Sequence, residues 1–161
     1  MTVFTDDDGK KIRPWTDPEE MTEDLIRWYN ETVTPEDKVY FLGDVCMTKP
    51  QLNKVMPRLM GDKVLIKGNH DTLELKEYVK YFRDIRAYHI MDKVLLSHMP
   101  VSFDSRARFI ANVHGHTHTN DVRDEHRHLV PWYINVCVEK TNYRPILWND
   151  VRKMVDSRIK T

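Results

Sequence analysis

Apolar residues along the chain fall into short runs of two kinds. Met21, Leu25, Trp28 and Tyr29 recur at the spacing of one helix face. Thr16 and Glu19 have capping-box spacing and Pro18 suits a first turn, so a helix is predicted to start there and to end before Pro35. Residues 39–42 form a continuous apolar run, read as a buried strand that runs into Gly43-Asp44. A second helix is predicted over residues 50–59, with Leu52, Val55, Met56 and Leu59 on one face. Residues 64–66 read as another buried strand, delivering Gly68-Asn69-His70-Asp71. Leu73, Leu75, Tyr78, Val79 and Phe82 predict a third helix. Residues 88–91 and 94–97 are expected as a hairpin turning at Asp92-Lys93, and its second strand delivers His98. Residues 109–113 read as a strand delivering Gly115-His116-Thr117-His118, and 133–138 alternates as another. Asn149 is placed to cap a last helix carrying Val151, Met154, Val155 and Ile159.

Helices and strands alternate at first, and strands then cluster. The order predicts an α/β fold with two packed, mostly mixed β-sheets flanked by helices. At 161 residues the chain suits a single domain, taken as residues 1–161. Its 25 basic and 25 acidic residues cancel, which argues against general nucleic-acid binding while leaving room for a local basic patch. There is no bilayer-length apolar run and no signal-peptide pattern. Cys46 and Cys137 read as two small buried apolar residues in a reducing compartment, so a cytoplasmic protein with no membrane partner is expected. Oligomeric state is left open.

Charge and polarity become informative at the strand ends. Gly43-Asp44, Gly68-Asn69-His70-Asp71, His98 and Gly115-His116-Thr117-His118 offer only oxygen and imidazole donors. One carboxylate, one amide and three imidazoles suit first-row divalent metals. If residues 116–118 are extended, His116 and His118 share a face and can serve two neighbouring ions. Asp71, with Glu74 three residues on, reads as the cap of the third helix rather than a catalytic group. His89 reads as structural, and His126 and His128 as part of a solvated loop. His114 is open between substrate contact and strand-end packing. Arg106 and Arg108 are open between phosphate contact and a solvated loop.

These motifs, in this order, resemble the calcineurin-like metallophosphoesterase superfamily. The stretch of residues 19–44 and residues 135–136 and 143–145 also look like its small phage and bacterial members, so the resemblance spans roughly residues 18–145. It implies a four-layer α-β-β-α sandwich and a phosphoesterase hydrolysing mono- or diesters by a metal-bound hydroxide. It implies two divalent ions, Mn²⁺ first, with Fe, Zn²⁺ or Ni²⁺ compatible. Asp44 would bridge the two ions, Asn69, His98 and His116 would complete the second site, and His118 would belong to the first. His70 would protonate the leaving oxygen. The substrate is a phosphate ester, with nucleotides and nucleic-acid ends included.

The family's opening strand and its Asp-x-His are absent from the start of this chain. Either Asp6 and Asp8 form an Asp-x-Asp version, or the chain begins after the motif; the second is preferred. The expectation is then an incomplete first metal site, a filled second site and weak or no turnover. The alternative is a non-catalytic metal- or phosphate-binding protein of the same fold.

Overall fold

The computed structural model describes residues 11–159. Two sheets of three and four strands pack together with helices on their flanks, so the α/β sandwich is as expected. Helix α1 (Pro18–Thr32) is capped by Asp17 rather than Thr16. The Asp17 carboxylate accepts the Glu19 amide at 2.9 Å, and a carboxylate also complements the positive helix terminus. The first sheet is wholly parallel, in the order β1 (Lys38–Phe41), β2 (Asp62–Ile66), β3 (Asp84–Arg86). Strand β3 escapes sequence reading because Ile85 is its single apolar residue.

Helix α2 (Lys49–Val55) gives way to a 3₁₀ turn, Met56–Arg58, so the single helix expected over 50–59 changes pitch at Pro57, which has no amide to continue the ladder. The third predicted helix shrinks to four residues, α3 (Leu75–Tyr78). Tyr78 and Phe82 bury, but Leu75 and Val79 are 56% and 61% exposed. The periodic pattern is therefore real on one side only, and no side chain caps the helix start.

The second sheet runs β4 (Tyr88–Met91), β5 (Val94–Ser97), β6 (Ala111–His114), β7 (Tyr133–Asn135). β4 and β5 form the expected hairpin, and Asp92 and Lys93 both have positive φ, 50° and 63°, as a tight two-residue turn requires. β5, β6 and β7 are mutually parallel. β7 is shorter than the alternation over 133–138 suggests, because the Asn135 side chain accepts the Cys137 amide at 2.9 Å and turns the chain. Helix α4 (Trp148–Ile159) begins before Asn149; Leu147 supplies the first carbonyl, accepting from Asp150 and Val151.

Strand alternation divides the core in two. Val39, Phe41 and Leu65 face α1 and α2, packing with Ile26, Tyr29, Leu52 and Met56. Tyr40, Leu42 and Ile66 belong to a second cluster with Val94, Leu96, Val113 and Ile134 of the other sheet and Val151 and Val155 of α4. Because the strands within each set are parallel, β1, β2, β5 and β6 all finish at the edge where the chemistry-bearing motifs begin, a common place for ligand sites in α/β sheets. Among the described residues no helix is long and apolar enough to cross a membrane. Cys46 and Cys137 are free and half-buried, and burial pushes both thiols up to about 11, which leaves them poor nucleophiles at neutral pH.

Ile66 is fully buried in the second cluster. Ile66→Ala should lower stability by about 2–5 kcal/mol in urea unfolding. Leu75→Ala, on the exposed side of α3, should change it by no more than about 0.5 kcal/mol. Equal losses in the two variants would restore the longer, packed third helix.

Candidate metal centre

The loops after β1 and β2 approach so closely that only glycine fits at two positions. A Cβ on Gly43, whose φ is +86°, would lie 2.6 Å from both the Cα and N of Gly68. A Cβ on Gly68 would lie 2.2 Å from Asp44 Oδ1 and 2.6 Å from the Asp44 amide nitrogen. Three acceptor bonds to one carboxylate hold this contact. Asp71, 1% exposed, accepts the amides of Asp44 (2.8 Å) and Gly68 (2.8 Å) on one oxygen and that of Val45 (3.0 Å) on the other. Asp71 is thus no helix cap. With both oxygens engaged by the two loops, it has turned away from the helix that follows.

Asp44 sits with φ 55°. Oδ1 accepts the His70 amide at 2.8 Å, while Oδ2 lies 3.3 Å from His98 Nε2. His98 follows β5 and is 5% exposed. Its Nδ1 lies 2.6 Å from the Leu42 carbonyl, which can only accept, so Nδ1 carries the proton. Its other ring nitrogen, Nε2, faces Asn69 Oδ1 (2.8 Å), His116 Nδ1 (3.2 Å) and Asp44 Oδ2. One donor atom each from Asp44, His98 and His116 lies within 4.8 Å of the others. Burial lowers the pKa of His116, and His98, His118 and His70 lower it further against the opposing pull of Asp44, which favours a neutral imidazole. Imidazole nitrogens, an amide oxygen and a carboxylate gathered at one point make a chemically apt cradle for a divalent cation.

The expected donors Asp44, Asn69, His98 and His116 are thus brought together. His118 lies outside that triad, with Nδ1 3.1 Å from the carboxylate of Glu139. The two histidines do not sit on extended backbone, because His116 and His118 have φ of 68° and 50° in a tight turn. Asn135, 5% exposed at the end of β7, secures that turn by donating to the carbonyls of His118 (2.8 Å) and Asn120 (3.0 Å). His70 is exposed and anchored through its backbone.

His114 is fully buried, with Nδ1 donating to the Gly115 carbonyl at 2.8 Å, so its ring packs beneath the strand end rather than facing a substrate. Arg106 and Arg108 are exposed on the loop after His98, Arg106 over the Phe103 ring at 4.2 Å. His89 stacks on Tyr40 at 4.7 Å, and His126 and His128 are exposed. Asp6 and Asp8 lie outside the described residues. Sequence reading missed Asp71, Asn135 and Glu139 as supports. Asn135 alone left a signal, a polar amide closing an apolar strand.

An open groove of about 370 Å³ runs alongside Asn69 and His98, walled by Lys67, Ala87, Met99 and Val101. A larger cavity of about 440 Å³, between the 140–147 segment and α4, holds none of the triad. Its cations are engaged: Lys140 with Asp121, Arg144 with Glu31, and Arg158 with the Tyr133 carbonyl.

No protein-family model matches the sequence. The uncharacterized protein MJ1445 of Methanocaldococcus jannaschii is 34% identical over 154 residues, covering 89% of this chain and 80% of that protein. The fold is similar to the crystal structure of a protein of unknown function, AQ665 from Aquifex aeolicus. The TM-score is 0.68, with 24% identity over 88% of each chain, a likeness that speaks for the fold alone.

Asp71→Asn keeps the shape but replaces one acceptor oxygen by an NH₂ facing amide donors. A loss of about 1–3 kcal/mol is expected in urea unfolding. Hydrogen exchange of the Asp44, Val45 and Gly68 amides should accelerate with it. Unchanged protection at these three amides would remove Asp71 from its bridging role.

Proposed function

We propose that this chain, which belongs to one family with the Methanocaldococcus jannaschii protein MJ1445, is a metal-dependent phosphoesterase. The observation that carries the reading is the convergence of Asp44 Oδ2, Asn69 Oδ1, His98 Nε2 and His116 Nδ1 with the His98 proton fixed on the opposite nitrogen. These four residues are assigned to one divalent ion, with Asp44 and His118 contributing to a neighbouring one. Mn²⁺ is favoured, and Fe, Zn²⁺ or Ni²⁺ match the same donors. Ions held there would supply positive charge to a phosphate and acidify water at neutral pH.

The chain's own residues do the rest. Asp44 orients its neighbours through both oxygens, receiving the His70 amide on one side and facing His98 on the other. His70, exposed and tied by its backbone to Asp44, is assigned the acid role, in which an imidazolium can protonate a departing alkoxide. The groove beside Asn69 and His98 is assigned to the organic part of the ester, with Lys67 as a cation at its wall. The substrate class is a phosphomono- or phosphodiester, acted on in the cytoplasm.

Titrating metal-freed protein with Mn²⁺ by calorimetry should show one tight ion that His98→Ala abolishes and His126→Ala leaves in place. With Mn²⁺ bound, turnover of bis(p-nitrophenyl) phosphate or p-nitrophenyl phosphate should fall about 10²–10⁴-fold in His70→Ala at unchanged metal content. Weak turnover is expected while only the tight ion is bound; no turnover of either ester at Mn²⁺ concentrations that also fill the looser site would make this a non-catalytic binding protein. Loss of metal in His70→Ala would make that residue a ligand.

A further inference from the structure

A carboxylate lies buried behind the Gly115–His118 turn. Glu139 belongs to the short 3₁₀ turn Val138–Lys140, and its side chain is 2% exposed. A single oxygen, Oε1, faces three nitrogens: His118 Nδ1 at 3.1 Å, Arg13 Nε at 3.0 Å and the Arg13 terminal nitrogen at 3.0 Å. A carboxylate oxygen can only accept, so each nitrogen presents a hydrogen. For a neutral His118 this settles the tautomer: Nδ1 holds the proton and Nε2 the lone pair.

The surroundings hold Glu139 as an anion in place. Burial works against its charge, but its own backbone amide, His118 and Arg13 outweigh that and keep its pKa below the ordinary value. Arg13 is itself fastened. The Tyr143 hydroxyl donates to the neighbouring Ile12 carbonyl at 3.1 Å, and Trp15 packs edge-on against Tyr143 at 4.8 Å and against Trp28 at 5.5 Å. The His118 carbonyl is meanwhile held by Asn135. Both the ring and the backbone of His118 are therefore set by groups that lie outside the Asp44, His98 and His116 triad. An ion pair serving the fold alone would not need the same oxygen to take an imidazole proton.

Resting on the phosphoesterase reading, we propose that Glu139 is a positioning residue for His118. By accepting the Nδ1 proton it fixes Nε2 as the ligand atom and strengthens it as a donor, as carboxylates behind metal-bound histidines do. His118 follows His116 by two residues in the same tight turn, both with positive φ, so the fixed ring sits beside the triad's third member.

The test uses the full chain labelled with ¹⁵N-histidine and stripped of metal, at a pH of about 8.5, well above the ordinary imidazole value. Long-range ¹H–¹⁵N spectra, with His118→Ala for assignment, should show His118 protonated on Nδ1. Glu139→Ala should shift it towards the Nε2-protonated form, while Glu139→Gln, whose carbonyl can still accept, should largely keep the original tautomer. In a Mn²⁺ titration, Glu139→Ala should weaken the second, looser ion by about 10–100-fold and leave the tight one unchanged, with Glu139→Gln in between. Neither readout needs a substrate, so absent turnover would count against the phosphoesterase reading alone. An Nε2-protonated His118 in the unaltered chain would overturn the proposal. So would an unmoved tautomer or looser ion in folded Glu139→Ala. If Glu139→Ala does not fold, the tautomer of the unaltered chain and the Glu139→Gln titration decide.

Discussion

One buried carboxylate fixes the two loops on which the centre is built. Asp71 takes three backbone amides from the segments that follow β1 and β2, and charge-assisted bonds of this kind are worth about 1.5–3 kcal/mol each. From there the constraints close on themselves. Asp71 places the Asp44 backbone, and Asp44 Oδ1 receives the His70 amide. Asp44 Oδ2 faces His98, whose other nitrogen returns a proton to the Leu42 carbonyl two residues before Asp44. His98 comes from the second sheet and Leu42 from the first, so this bond also joins the sheets at the edge where the donors meet. Local geometry and sheet packing are held by the same few groups.

The parts of the fold that could be read from the sequence share a physical cause. The apolar runs that became β1, β2 and β5 are short strands bounded by glycine or polar residues, β5 buried throughout, β2 over its last three residues and β1 only partly, and each ends where a motif begins. The hairpin was legible because Asp92-Lys93 sits between two apolar segments. What was hidden depends on partners distant along the chain. Asp71 and Glu74 have a helix-cap spacing by coincidence, and nothing local reveals that 27 residues earlier an amide awaits that carboxylate. Glu139 reads as an ordinary charge in a polar segment until Arg13 and His118 close around it. Strand β3 carries its information in pairing with β2, not in its own apolar content. The extended reading of residues 116–118 failed because a period-two argument assumes a backbone that these residues do not adopt.

That backbone is where the chain departs from its own preferences. Asp44, His116 and His118 all occupy the left-handed region, which costs a non-glycine residue about 1–2 kcal/mol. Such strain persists only where neighbours over-determine it, and here the neighbours are identifiable: Asp71 for the first, Asn135 and Glu139 for the turn that carries the other two. A net charge of zero for the whole chain conceals how unevenly charge is used. Asp71 and Glu139 are both nearly inaccessible, and each is matched by donors rather than by solvent. Stability is given up at the edge of the sheets and recovered immediately beneath it.

The contact between Gly43 and Gly68 also limits how this sequence can vary over generations. Most tight spots in a protein can be relieved by trimming the side chain opposite, so a harmful change at one position is often rescued by a second elsewhere. Here the side chains of His98 and Asp44 are the nearest atoms, but trimming them would still leave the main chain of Gly68 on one side and of Asp44 on the other, each 2.6 Å away. Every residue has those atoms, so no substitution at the partner position makes room. The two glycines therefore lie outside the reach of compensatory mutation. A lineage carrying this centre can drift freely in its helix faces and loop tips, but it can leave these two positions only by giving up the centre itself.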